Sequence, residues 1–139
     1  MGTATTASVI DQNGSYLGGM IIPGLRVAVD ALSARASQLP LNISLEAPEH
    51  LIGTNTIDCM RSGAIYGNAA MIDGIIDRVE EELGAPVTAV ATGNLVSLVT
   101  PYCERRIHEE PNLLLRGLGL LYEKNCRKPS EPASRGVNP

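Results

Sequence analysis

Thr, Val and Ile dominate the first stretch, Thr3 to Asp11 (TATTASVID), which has no proline and predicts a strand. Gln12-Asn13-Gly14 follows. Asn-Gly is a strong hairpin signal because both residues tolerate positive φ, so Ser15 to Ile22 (SYLGGMII) predicts the returning strand, ended by Pro23-Gly24. From Leu25 to Ser37, Leu25, Val29 and Leu32 recur at helical spacing, and Pro40 closes the segment. Leu41 to Leu45 (LNISL) alternates apolar and polar residues and predicts a half-buried third strand. Thr54 or Asn55 then caps a long helix, with Asp58 in its first turn. That helix runs to Leu83 with Ile72, Ile75, Ile76, Val79 and Leu83 on one face, and Gly84 stops it. Pro86 to Thr92 (PVTAVAT) predicts a buried strand, Gly93-Asn94 a turn and Leu95 to Thr100 a short helix. Arg105 to His108 predicts a short strand, and Glu110-Pro111 opens a last helix, Asn112 to Asn125.

This order predicts an α/β fold: a mixed five-stranded sheet, three antiparallel strands then strand–helix alternation, with helices packed on it. The domain is expected over 1–126. Residues 127–139 hold three of the nine prolines and no apolar period, so a disordered tail is expected there.

Composition narrows the function. At 139 residues the chain is one domain, and 44% hydrophobic content supports a real core. With no Trp and no Phe, that core must be aliphatic. A net charge of −4 and only four Tyr argue against a nucleic-acid partner, whether through bulk charge or base stacking. No apolar run approaches the ~20 residues that span a bilayer, and the start has no signal-peptide pattern, so no membrane partner is expected. Met1-Gly2 invites a myristoylation reading, set aside because the following residues read as strand. Cys59, Cys103 and Cys126 stand at wide spacing without a CxxC, which argues against a disulfide framework or a zinc site and favours a reducing cytoplasm.

Three segments could hold a ligand. Gly2-Thr3-Ala4-Thr5-Thr6 offers amide N–H groups and hydroxyls to phosphate oxygens. Gly18-Gly19 inside a strand, followed by Pro23-Gly24, implies a bulge or a close approach. Ala91-Thr92-Gly93-Asn94 ends a strand just before a helix, the kind of sheet edge that binds nucleotides and anions. Each is also ordinary strand and turn chemistry. There is no Walker A sequence, no GxGxxG and no GxSxG elbow. His50 and His108 read as surface histidines, Asp11 as a turn residue, Asp73 and Asp77 as a solvated helix edge, and Arg105-Arg106 as a surface pair. Gly63, Gly67 and Gly74 mark a helix face that packs either on the chain's own sheet or on a helix of another subunit.

Taken together, GTATT (Gly2–Thr6), GG-x-I-x-PG (Gly18–Gly24), ALSARASQLP (Ala31–Pro40), IGTNT (Ile52–Thr56), SGAIYG (Ser62–Gly67) and ATGN (Ala91–Asn94) resemble the C-terminal half of type III pantothenate kinases, in order, from Gly2 to about Asn125. The resemblance implies the ribonuclease-H-like second half of the actin-like ATPase fold. It implies transfer of the ATP γ-phosphate to pantothenate, the first step of coenzyme A biosynthesis, with Mg2+ and a monovalent cation (K+ or NH4+). Gly2 and Thr3 would belong to the second phosphate motif and Gly93 to the adenosine turn, so all three would bind ATP; Thr56 would hold pantothenate. Asn94 stands where the family usually has a second glycine. A homodimer through this half is also implied. The family's cation-holding aspartate two residues before GTATT has no counterpart, nor has the first half with its phosphate loop and proposed base. The expectation is therefore a folded chain without a catalytic residue or metal ligand of its own, inactive alone. The alternative is a non-catalytic oligomerisation or binding module, or a transcription accessory factor of the same family.

Overall fold

A hairpin opens the chain in a computed structural model that describes residues 1–126; the expected tail, 127–139, lies outside the described residues. Strand β1 (Ala4–Ile10) pairs antiparallel with β2 (Tyr16–Pro23). Asp11 builds the turn: its carboxylate accepts the N–H of Asn13 and of Ser15, each at 2.8 Å. These bonds, led by that from Ser15, hold its pKa below the ordinary range. Only Gly14 takes a positive φ, 80°; Asn13 does not, so the loop is longer than the two-residue turn the Asn-Gly pair predicts. Near the turn the register slips between Val9 and Ile10, and Gly18, at φ 146°, absorbs the bulge.

Helix α1 (Leu25–Arg35) buries Leu25, Val29 and Ser33, a strict i, i+4, i+8 row. Leu32, expected on that face, is exposed instead. Helix α2 (Thr56–Leu83) begins at Asn55, whose side chain accepts the N–H of Asp58, and ends at Gly84 in the left-handed region, both as expected. Its buried face lies earlier than predicted. Met60, Ser62, Ala64, Ile65, Ala69 and Ile76 are buried, whereas Leu83 is exposed. Small residues at 64 and 69 let the neighbouring segments close on the first half of α2, while its end overhangs the hairpin beside Leu17 and Gly18. The core joins α1, α2 and the short α3 (Val96–Val99) through Leu25, Val29, Ile65, Ala69 and Val99, and it is aliphatic.

The third strand does not form. Ile43 and Leu45 are buried, so the alternation at 41–45 is real, but the backbone there is irregular. Asn42 sits at φ 57°, which interrupts an extended run. The Arg26 guanidinium donates to the Ile43 carbonyl at 2.8 Å and Arg61 Nε to the Ser44 carbonyl at 3.2 Å, so these carbonyls are already partnered. In place of a five-stranded sheet, the described residues hold two two-stranded sheets. In the second, β3 (Ala89–Ala91) and β4 (Ile107–Glu109) run parallel. Strand β3 is shorter than predicted because Val87 N–H donates to the Glu80 carboxylate at 2.9 Å rather than to a neighbouring strand. Helix α4 (Leu113–Cys126) closes the described chain.

One face of α2 clasps this second sheet. Asp73 accepts the N–H of Glu104 at 2.8 Å and of Arg105 at 3.0 Å. Arg105 pairs in turn with Glu80 and, at 3.5 Å, with Asp77. The acids read as a solvated edge are therefore fasteners. The Val87 N–H above all, then Arg105, holds the Glu80 carboxyl below its ordinary range. A depressed folded pKa contributes stability that is present above the unfolded value and lost as pH falls through the folded one. Between roughly pH 5 and pH 3 the urea midpoint of the native chain should fall more steeply than that of Glu80→Gln. Parallel profiles would show that the clasp adds nothing.

Candidate functional site

Three of the sequence-distant motifs meet at one corner. The first is the entry to β1: Met1, Gly2 and Thr3. The second is the turn from β2 into α1, where Gly24 N–H donates to the Thr3 carbonyl at 3.0 Å. The approach is close enough that a Cβ on Gly24 would strike the Gly2 and Thr3 carbonyls. The third is the β3–α3 turn. The Met1 amino group donates to the Thr92 carbonyl at 2.5 Å, Gly93 packs its backbone on Met1, and Gly2 lies beside the Asn94 side chain. Gly93 has φ 117°, a conformation side-chain-bearing residues rarely adopt, and a Cβ there would also meet the Met1 backbone. Two constraints thus require glycine at this one position.

The corner offers donors and few acceptor-neutralising groups. Helix α1 starts without a side-chain cap and without an acid in its first turn, so its opening N–H groups and positive dipole end are unopposed. It starts immediately after Gly24, against Gly2 and Thr3. Thr3 is exposed, and Thr5, two residues on along the same face of the chain, is buried with a hydroxyl that has no partner. A buried hydroxyl without a partner is costly. An anion whose oxygens accept N–H and O–H bonds suits such a corner. The uncapped α1 start is absent from the sequence reading; Pro-Gly with no acid in the following turn was the available signal.

Thr56 is exposed at the first position of α2. Around it Asn55 Nδ2 donates to Asp58 at 2.7 Å, and Cys59 Sγ reaches the Gly53 carbonyl at 3.2 Å. No hydrogen bond among the described residues joins Thr56 to Gly2, Thr3 or Gly93. The structure therefore brings Gly2, Thr3 and Gly93 to one corner, and no hydrogen bond among the described residues ties Thr56 into it. Gly63 and Gly67 look onto open space, with nothing within 4 Å of where a side chain would begin, so they do not pack on this chain's own sheet.

Cys103 is half-buried under Ala69, and burial, then the Asp73 charge, pushes its thiol up to about 11. No group of three or more His, Cys, Asp or Glu among the described residues could hold a metal ion. No helix among them is long and apolar enough to cross a membrane.

The family model of type III pantothenate kinases matches residues 1–78. Curated type III pantothenate kinases from Frankia alni and Moorella thermoacetica are 44% and 45% identical over 124 residues. Each alignment covers 89% of this chain and 49% and 48% of the relative, so the chain spans about half the length of the curated relatives it matches. A solved structure, named as a conserved Baf family transcriptional activator from Campylobacter jejuni, superposes with a TM-score of 0.61. It shares 21% identity, and the match covers 91% of this chain and 56% of that one, a likeness of fold.

Proposed function

This chain belongs to the type III pantothenate kinase family, and on that premise we propose that it forms the second wall of a cleft that moves the γ-phosphate of ATP to pantothenate. The observation that carries this is the meeting of the β1 entry, Gly24 and the β3–α3 turn at one donor-rich corner. In this reading the Thr3 hydroxyl donates to phosphate oxygens, and Gly2, whose N–H bonds the Ala4 carbonyl at 3.1 Å, lets the nucleotide approach the backbone closely. Gly93 keeps the backbone flat for the nucleoside, with Asn94 beside it. Thr56, at the start of α2, holds pantothenate. The domain is 1–126, of the actin-like ATPase type, and it works as a cytoplasmic homodimer paired along the open face of Gly63 and Gly67.

Phosphoryl transfer depends on clamping the nucleotide from both sides and neutralising its charge. The described residues do not fit a resident metal, so Mg2+ and the monovalent cation would be held by groups beyond them. On this reading the 139 residues alone do not turn over. The test is an assay of ATP-dependent pantothenate phosphorylation. It compares the isolated chain with a fusion in which the first half of the Moorella thermoacetica relative is joined at Met1. Turnover by the fusion and none by the chain is expected. Turnover by the isolated chain, or a folded fusion that is inert, overturns the proposal.

Within the active fusion, Thr56→Ala should raise KM for pantothenate about tenfold, the loss of one well-made hydrogen bond. KM for ATP should stay within about twofold. An unchanged KM for pantothenate removes Thr56 from the site.

The fold likeness to the protein named as a transcriptional activator favours a second reading, a non-catalytic binding module. Under it the fusion folds but stays inert. The acidic net charge of −4 then points to a protein partner rather than DNA.

A further inference from the structure

Asn94 stands exposed in the β3–α3 turn, and no hydrogen bond among the described residues uses its side-chain amide. The turn that carries it is fixed on both sides. The Ala91 carbonyl accepts the Glu110 N–H at 2.9 Å, and the Gly93 carbonyl accepts the Val96 N–H at 3.3 Å. Asn94 itself has an ordinary backbone, because Asn42 is the only described residue other than glycine with a positive φ. The side chain at this position therefore changes the space and chemistry of the corner and not the path of the chain. An amide held on a fixed turn and not spent on the protein is a preorganised contact for a ligand.

Its position says which part of a ligand it meets. A side chain begun at Gly2 would come within 4.0 Å of Asn94 Oδ1, so the amide lies between the β3–α3 turn and the β1 entry. With phosphates at Gly2 and Thr3 and the nucleoside at Gly93, as proposed above, this is the space that separates them. In a nucleotide the sugar occupies that space. The corner offers it no better partner. The Thr5 hydroxyl is buried, Thr92 lines a groove with Leu113, Leu114 and Leu118 of α4, and the three glycines bring no side chain. A ribose hydroxyl both donates and accepts, and so does an amide, so the two pair whichever way the amide lies. A phosphate oxygen could use only the amide N–H.

We propose that Asn94 is a specificity-determining residue that binds a ribose hydroxyl, so that this chain selects ribonucleotides over their deoxy forms. The proposal rests on the half-cleft reading above, but its test reads binding and not phosphorylation. Calorimetry measures ADP, 2′-deoxy-ADP and 3′-deoxy-ADP against the fusion joined at Met1 and against its Asn94→Gly variant. One of the two deoxy analogues should bind the parent fusion about fivefold more weakly than ADP does, the loss of one hydrogen bond. Asn94→Gly should weaken ADP by the same factor and leave that analogue within about twofold, because removing the hydroxyl and the amide together costs no more than removing either. Asn94→Ala should behave as Asn94→Gly does, which separates the lost amide from added backbone freedom.

Equal binding of all three nucleotides by the parent fusion overturns the proposal. So does discrimination that survives both variants. So does a uniform loss of all three nucleotides on Asn94→Gly, because the amide then serves a phosphate or the turn itself. An active fusion without discrimination sinks this inference alone; a fusion that discriminates through Asn94 but leaves pantothenate unphosphorylated sinks only the kinase reading. A fusion that binds no nucleotide sinks both.

Discussion

Replacing Ile65 with Ala should lower the unfolding free energy of the chain by about 3–4 kcal/mol, a large share of the ~5–15 kcal/mol typical of a folded domain. Ile65 is fully buried in the first half of α2, in the cluster with Leu25, Val29, Ala69 and Val99. The cost has two parts. Transfer of the lost carbons to water contributes a share, and the cavity left behind adds the rest because the surroundings relax only partly. Here relaxation is restricted. The neighbours Ala64 and Ala69 are too small to reach into the space, and Leu25 and Val99 come from separate helices that would have to move together. Urea unfolding followed by circular dichroism checks this, with the midpoint lowered and the slope unchanged. A loss under about 1 kcal/mol would mean the core is loosely packed.

Gly24→Ala should cost about 2–3 kcal/mol, from one added methyl group. The backbone at Gly24, φ −66° and ψ 153°, suits any residue, so conformation is not the obstacle. Space is. The new Cβ would land on the carbonyl oxygens of Gly2 and Thr3, which are backbone atoms and cannot rotate aside. Either the β1 entry or the start of α1 must retreat, and the bond from Gly24 N–H to the Thr3 carbonyl goes with it. The proposed phosphate corner then opens, so in the active fusion KM for ATP should rise as well. Gly63→Ala is the control. It meets nothing within 4 Å and should gain up to about 1 kcal/mol in helix propensity for the monomer. Equal effects at the two glycines would show that close approach at Gly24 is not what requires glycine there.

Both expectations were partly legible in the sequence. Caps, stops and turns are local chemistry, so Asn55, Gly84 and Gly14 marked their boundaries correctly. The segments GTATT, PG and ATGN were each ambiguous alone; only the fold shows that Met1 to Thr3, Gly24 and Gly93 touch. Burial was less legible. Leu32 and Leu83 have core-like side chains at helical spacing but end up exposed, while Ser33 and Ser62 are buried, because facing elements and not side-chain type select the inner face. The alternation at 41–45 predicted which residues point inward and failed on the ladder. Hydrogen-bond partners come from elsewhere in the chain, and here they are guanidinium groups. Asp73, Asp77 and Glu80 carried a signal in their one-face spacing, but its partner Arg105 is 25 residues from Glu80.

Those guanidinium groups also bear on how the protein can change over evolutionary time. A β-ladder is built from main chain, so almost any residue can occupy it without loosening the segment. The stretch through Ile43 and Ser44 is moored by two particular side chains, Arg26 through one bond and Arg61 through a planar fork onto Ser44 that a lysine cannot reproduce. A single conservative codon change at either arginine would loosen a loop that carries two buried core residues, making these half-exposed positions less tolerant of drift than their place near the surface suggests.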